Sequence, residues 1–543
     1  MSVLSKDADS GVRWSAAERV RALKQIVSRK AIAKALRASR CKHRYCRRLP
    51  RWFVVWFVIA LALFCRDSYR QVFRWLQRFR SNTTPGRSTL CEARKSVGVA
   101  PLRCLADEVI QLQGQPGSPH VFYAGMRLMA VDGFVVDVAD TPENERAFGR
   151  PGSGRSPGAF PQARVLSLCE LGTHVLWRSL IKPYGRGEVP MAHYLARFLV
   201  ENMLLLWDRG FLSYALVREV RQRGAHLLAR VKKNLVFRPL RRLSDGSYLA
   251  KLYPSPRHRD RDEDGIVVRI IEYTFDDPGR PGSGEKHRLL TTLLDAGRHP
   301  AKRLIVLYHD RWEEELTLDE LKTHQRERPI LRSETPAGVV QEIYGLLLGH
   351  FVIRKLMCEA AVIADCAPRE LSFVNTLKIL RCRLPEVPRS SRGLERWYHQ
   401  LLAEVAEERL EPRRNRVNPR VIKRKMSNWA KKRDKHCNFP QPTKKFRQSI
   451  VMLNCVLSAS MHEVIGASGV DSSVAISDFP REGGRWRCRR HLLLRGTWQR
   501  RSGASSDGGE AGNGVDEFPN RSGRWPRTRL RFTDCIPPHA DYG

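Results

Sequence analysis

The sequence predicts an α/β protein, a mixed β-sheet with helices packed on it, with a helical region ahead of it and a strongly basic region behind. Three observations carry this. From about residue 127, apolar alternation gives way to a succession of helix-like and strand-like segments, the pattern of a mixed sheet. Residues 1–125 show helical periodicity instead. Residues 233–285 fall out of the rhythm, rich in Arg, Asp, Pro and Gly with short strand-like pieces such as GSYLAKLY and GIVVRIIEYTF, and read as a β-rich insertion.

The first elements are basic. ERVRALKQIVSRKAIAKALRA is an amphipathic stretch, followed by the arginine-rich linker CKHRYCRRLPR. The apolar run WFVVWFVIALALFC, Trp52 to Cys65, comes next, and DSYRQVFRWLQRF after it. As a helix the apolar run reaches ~21 Å, short of the ~30 Å of a bilayer core. It is expected to be a buried helix of a DNA-binding domain spanning 1–125, in a soluble protein with no membrane partner.

The central region is expected to run from 126 to 380. RLMAVDGFVVDVAD alternates as a strand, and RVLSLCELGTHVLWRSLI reads as strands joined by a turn near Gly172. MAHYLARFLV is a helix, MLLLWDRGF a short buried strand ending on Asp208, FLSYALVREVRQRG a helix closed by Gly224, and HLLARVK a further strand. RLLTTLLD resumes the core after the insertion. Two helices follow: the stretch from Tyr308 to Lys322, and the apolar TPAGVVQEIYGLLLGHFVIRKLMCEAAVIA.

The chain has 543 residues and a formal net charge of +40, from 96 Lys+Arg against 56 Asp+Glu. Such an excess calls for a polyanion, and nucleic acid is the first choice. Thirteen cysteines lack paired spacing, which argues against both a disulfide framework and structural zinc. The densest basic segment lies in the region 381–450, where Arg420, Lys423, Arg424 and Lys425 are expected to grip phosphates. Trp429 and Phe439 are interleaved with it and could stack on bases. After Lys445 the chain has no lysine but many arginines, and 451–543 is expected to be disordered.

Against this positive charge, YHDRWEEELTLDELK concentrates acid. Taken as one helix from Tyr308, it places Arg311, Glu315 and Lys322 near ~300°, ~340° and ~320°, on one stripe with Tyr308. Glu313, Glu314, Asp319 and Glu320 fall elsewhere, as ordinary surface partners. An ion-pair stripe of purely structural value fits the helix taken alone.

Two more acids point to chemistry. Asp132 lies in or beside a core strand, and Asp208 ends a buried one. A buried acid is costly unless it is hydrogen-bonded or holds a metal. Two strand carboxylates and one from a later helix can surround a pair of Mg²⁺ ions, which prefer oxygen ligands. Such a pair activates an attacking oxygen and stabilises a leaving one, the chemistry of phosphodiesters.

At these residues the sequence resembles the bacterial DDE transposases of the insertion-sequence type four. Tyr308, Arg311, Glu315 and Lys322 match the family's Tyr-x2-Arg-x3-Glu-x6-Lys signature without a gap. VDGFVVDVADTPEN and LLLWDRGF resemble its two aspartate segments. The likeness runs from about Leu49 to Ile450, while the first forty residues and the last ninety or so depart from it.

The resemblance implies an RNase H-like catalytic core with Asp132, Asp208 and Glu315 as catalytic metal ligands for two Mg²⁺ ions, with Mn²⁺ able to substitute. It implies double-stranded DNA as partner, both inverted-repeat ends and target. It also implies a homodimer formed on that DNA, in the bacterial cytoplasm at the nucleoid. Arg311 and Lys322 would hold phosphates and Tyr308 would position the backbone. Trp312 would stack on a flipped base, or else belong to the core. The implied activity is cut-and-paste transposition of an insertion sequence by strand cleavage and transfer. The alternative is an inactive relic that only binds DNA.

Overall fold

The computed structural model describes residues 26–41, 49–76, 84–153, 156–280, 282–388, 390–411 and 441–453. The chain divides into two compact units, 1–467 and 468–543, and the second lies wholly outside the described residues. So do Arg420, Lys423, Arg424 and Lys425, Trp429 and Phe439, and the tail from 454 on.

Helices come first: α1 (Arg29–Ala38), α2 (Arg51–Leu63), α3 (Tyr69–Leu76), α4 (Arg87–Val97) and α5 (Ala100–Val109). The hydroxyl of Ser28 caps α1 by accepting from the Ala31 N–H at 3.0 Å. The run from Trp52 is the predicted buried helix, α2, apolar on every face and buried from Phe53 to Leu63. Among the described residues no helix is long and apolar enough to cross a membrane.

Among the described residues a 12-stranded sheet follows. Its principal strands are β1 (Met126–Val138), β2 (Gln162–Glu170), β3 (Val175–Pro183), β4 (Met203–Trp207), β5 (His226–Arg230), β6 (Tyr248–Leu252), β7 (Ile266–Phe275), β8 (His287–Thr291) and β9 (Ile450–Met452). They run β3-β2-β1-β4-β5-β8-β7-β6, with β9 beside β7. β1, β2 and β3 form an antiparallel meander, while β4 and β5 join β1 in parallel. That order and those directions are the RNase H-like fold. The crossover helices α6 (Glu188–Ala196) and α7 (Tyr214–Gln222) cover one face of the sheet.

The β-rich insertion does not stand apart. β8 pairs antiparallel with β5, so β6, β7 and β8 extend the same sheet. β9 closes on β7 at Tyr273–Phe275, and the Leu453 N–H donates to the Glu272 carbonyl at 3.1 Å. Ordered chain therefore continues a few residues past the expected start of the tail.

On the other face lie α8 (Ala301–His309), α9 (Trp312–Asp319), a π-helical turn at Glu320–Gln325, α10 (Pro336–Ile363), α11 (Phe373–Arg383) and α12 (Ser391–Glu407). Thr335 caps α10 with Pro336 next in line, a strong start signal. The helices before residue 110 share one apolar core with α10, α11 and α12. At Gly345 of α10 a Cβ would fall 2.9 Å from the Val58 carbonyl, so α2 and α10 cross with their backbones in near contact.

Candidate active site

The parallel register of β1 and β4 runs from Arg127 opposite Met203 to Val131 opposite Trp207. The next pair along it is Asp132 and Asp208. Adjacent strands are ~4.8 Å apart, so the two carboxylates start from neighbouring backbone positions. Both continue the even-numbered positions Leu128, Ala130, Leu204 and Leu206, which pack under α8. Beyond Asp132, β1 next finds a partner on that side at Asp137, opposite Ile330. Among the described residues the edge between them carries no strand, and this unpaired stretch beside Asp132 is the slot.

Asp132 sits half-buried in this slot and accepts a hydrogen bond from the Gly133 N–H at 2.8 Å. Burial raises its carboxyl from the ordinary range to about 6. The Gly133 bond and Arg311 act the other way, while Glu188 and Glu315 add to the rise.

The segment from Tyr308 to Lys322 departs from the expected single helix. α8 ends at His309, the chain turns through Asp310 and Arg311, and α9 begins at Trp312. Tyr308 therefore stands on a different helix from Glu315, and Lys322 lies in the π turn. The signature still converges: Asp310 and Arg311 keep helical dihedrals, and the Arg311 guanidinium lies 5.9 Å from the Tyr308 ring centroid, so the stripe is bent at the turn rather than lost. The Tyr308 hydroxyl donates to the carbonyl of Trp207 at 3.2 Å, directly before Asp208. Arg311 donates to Glu315 at 2.9 Å. The Lys322 ammonium is 5.9 Å from the ring centroid of Phe134, two residues beyond Asp132. Trp312 is 50% exposed, so it is a surface aromatic rather than a core one.

The other acids contradict the surface expectation. Glu313, Glu314 and Glu320 are buried; Asp319 remains at the surface. Glu313 lies 3.1 Å from His174 Nε2, and Glu320 lies 3.1 Å from His174 Nδ1. Glu320 also takes Arg354 through both oxygens and His350 at 3.1 Å. Burial alone would raise the Glu320 carboxyl, but Arg354 and His174 outweigh it and hold it well below the usual range. Glu314 has no such company. Neither oxygen completes a hydrogen bond, and only Arg311 and the backbone N–H of Asp132 act to lower its carboxyl. Burial first, and the charge of Asp132 second, push its carboxyl well above the usual range.

Sequence reasoning missed this buried set because its partners are far away in the chain. One signal was present: Glu313 and Glu320 are seven residues apart, as Glu315 and Lys322 are.

The donor set fits a hard divalent cation, since every candidate ligand is a carboxylate oxygen and negative charge exceeds its compensation around Asp132. Among the described residues no three such groups yet stand close enough to hold a metal. Glu315 is turned to Arg311 and would have to leave it.

Residues 17–107 match the family model for the insertion element 4 transposase N-terminal region, and 123–352 match the transposase DDE domain. The transposase InsG for insertion sequence element IS4, from Escherichia coli strain K12, is 30% identical over 387 residues, covering 69% of this chain and 86% of InsG. The chain belongs to the IS4 family of DDE transposases. The putative transposase InsZ of the same organism is 29% identical over 196 residues, 35% of this chain and 64% of InsZ. A piggyBac transposase solved in a synaptic complex with hairpin DNA covers 71% of the chain at 13% identity, with a TM-score of 0.37. As an IS4-family DDE transposase, the chain is a DNA-binding protein of a class that uses divalent metal for its nuclease and transposition chemistry.

Proposed function

We propose that this transposase moves its insertion sequence by cut and paste, with Asp132, Asp208 and Glu315 as the ligands of two Mg²⁺ ions. The observation that carries the reading is the register that sets Asp132 beside Asp208, under the helix pair bearing Tyr308 and Glu315. When bound, the two ions would activate the attacking oxygen and stabilise the leaving one.

The protein's own groups do the rest. Asp132 and Asp208 supply oxygen donors from rigid strands. Arg311 orients Glu315 through their ion pair, and its guanidinium would also suit a DNA phosphate. Lys322 adds a second cation beside Phe134, suited to the strand next to the scissile bond. Tyr308 fixes the end of β4 through the Trp207 carbonyl, and so places Asp208. Trp312, exposed next to Arg311, offers a face for an unstacked base. Arg420, Lys423, Arg424 and Lys425 add phosphate contacts, in a homodimer assembled on the DNA ends in the bacterial cytoplasm, at the nucleoid.

The test is cleavage of labelled DNA carrying the element's own inverted repeats, with Mg²⁺ or Mn²⁺. Paired-end cutting that depends on Asp132 is the expected result. Binding without cutting under either ion would replace this reading with that of an inactive DNA-binding relic.

A further inference from the structure

Behind the helix that carries Glu315 lies a cluster that the proposed chemistry does not touch. Glu313 and Glu320 are separated by seven residues, two turns, and so share one face of the segment. Glu315 and Lys322 follow each of them by two residues, a rotation of ~200°, and share the opposite face. The back of the segment is thus held at two points directly behind the two groups that must face the slot.

What holds it is built for rigidity. His174 bridges the two acids, with its ring nitrogens 3.1 Å from each. It reaches them from the β2–β3 turn with φ at +58°, a conformation that β-carbon-bearing residues avoid. Arg354 comes from the middle of α10. Its Nε donates to Glu320 at 2.8 Å, its Nη2 donates to the other Glu320 oxygen, and its Nη1 reaches the Pro368 carbonyl at 3.4 Å. Phe373 lies under the guanidinium, 5.6 Å from ring centroid to Cζ. All four charged or polar side chains are buried. An apolar set of similar volume would hold the helix as well or better, so stability alone gives no reason for them. A fork of directed bonds fixes what apolar packing leaves free: rotation about the helix axis and sliding along it.

We propose that His174, Glu320 and Arg354 are positioning residues of the cleavage centre. They set the rotation of the helix so that Glu315 and Lys322 face Asp132 and Asp208. The π turn beginning at Glu320 belongs to the same device, because Glu320 is anchored to α10 at the point where the helix widens and redirects Lys322. This rests on the function proposed above.

The experiment uses the full chain and three variants: Arg354→Lys, which keeps the charge and loses the fork; the apolar pair Glu320→Leu with Arg354→Leu; and His174→Gln. Exposed Glu201→Gln, away from the segment, is the control. Mn²⁺ binding is followed by paramagnetic resonance, and end-DNA cleavage by single-turnover kinetics with Mg²⁺. In folded variants, both Mn²⁺ affinity and the cleavage rate are expected to fall ~10–100-fold. End-DNA affinity should stay at the wild-type level, with Arg354→Lys the mildest. A loss confined to stability would leave these readouts unchanged. A folded apolar pair with wild-type Mn²⁺ affinity and cleavage overturns the proposal. Should that pair not fold, the same result for His174→Gln overturns it. A wild-type chain that neither binds Mn²⁺ nor cuts instead removes the function on which it rests.

Discussion

Glu314 and Glu320 lie six residues apart on one helical segment, and both are buried, yet their surroundings are opposite. Glu320 is saturated by Arg354, His174 and His350. Glu314 completes no hydrogen bond, and the acids Asp132 and Glu315 beside it outweigh Arg311, the one cation that acts on it. Buried charge that is fully matched acts as scaffold. A buried carboxyl left unmatched is driven toward its neutral form at a cost in stability, and such groups gather where a ligand is to be received. The helix thus has a finished side toward α10 and an unfinished one toward the slot.

The largest effect that could break this contrast is on chemistry. Asp132→Ala, Asp208→Ala and Glu315→Ala should each lower metal-dependent end cleavage by ~10³-fold or more, while gel shifts show end binding nearly intact. Robust cutting by any one of them would take that residue out of the site.

Stability should then move in opposite directions on the two sides. Glu320→Gln leaves Arg354 buried and uncompensated and should cost ~3–5 kcal/mol by urea unfolding. Asp132→Asn should gain up to ~2–3 kcal/mol in metal-free buffer at neutral pH. The sign follows from the raised carboxyl at Asp132. Between its ordinary ~3.9 and about 6 the folded state holds the extra proton, so stability drains away as pH rises through that window. Wild type should weaken from pH 4 to 6.5 in metal-free buffer, and Asp132→Asn should lose that component. An equal slope in both would mean that the slot is not electrostatically short of a cation.

Glu314→Leu sharpens the contrast further. Removing a buried carboxyl with no completed hydrogen bond should stabilise the metal-free protein by ~1–2 kcal/mol, read as a higher unfolding midpoint. A destabilised variant would reveal a partner that Glu314 depends on. The smallest change belongs to Trp312→Ala, which should alter stability by no more than ~0.5 kcal/mol because the ring is half in solvent. Any larger effect should appear in cleavage of end DNA instead.

The strands that carry the first two aspartates were legible because alternation and apolar runs are local signals. RLMAVDG and MLLLWD each announce a strand and an acid at or in it. That Asp132 and Asp208 are neighbours was not legible, since it depends on the register of two strands about seventy residues apart. The acid-rich segment misled for another reason. Helical periodicity was carried unbroken from Tyr308 to Lys322, whereas the chain turns at Asp310–Arg311 and widens at Glu320. Glu313, Glu314 and Glu320 look like surface residues by type. Burial of Glu313 and Glu320 is made affordable by His174 and Arg354, far off in sequence, and no local pattern reports such partners. The insertion was readable as β-rich, but its fusion with the main sheet through β5 and β8 was not.

The π turn has a genetic consequence. Its wider bonding pattern accommodates one residue more than a regular helix would need over the same length. Gln325, its last residue, uses that slack to place its amide on the carbonyls of Leu346 and Ala62, joining α10 to α2. A one-codon deletion at Thr323 would let the turn relax into ordinary α-helix over the same length, so the flanking residues, Gln325 among them, would keep their places. A deletion inside regular α9 meets no such slack. It would rotate everything after it by ~100°, and the Gln325 amide would lose both carbonyls and with them the tie between α2 and α10. Codon deletions across 316–326, scored for element loss in cells, should therefore be tolerated best where the helix looks most irregular.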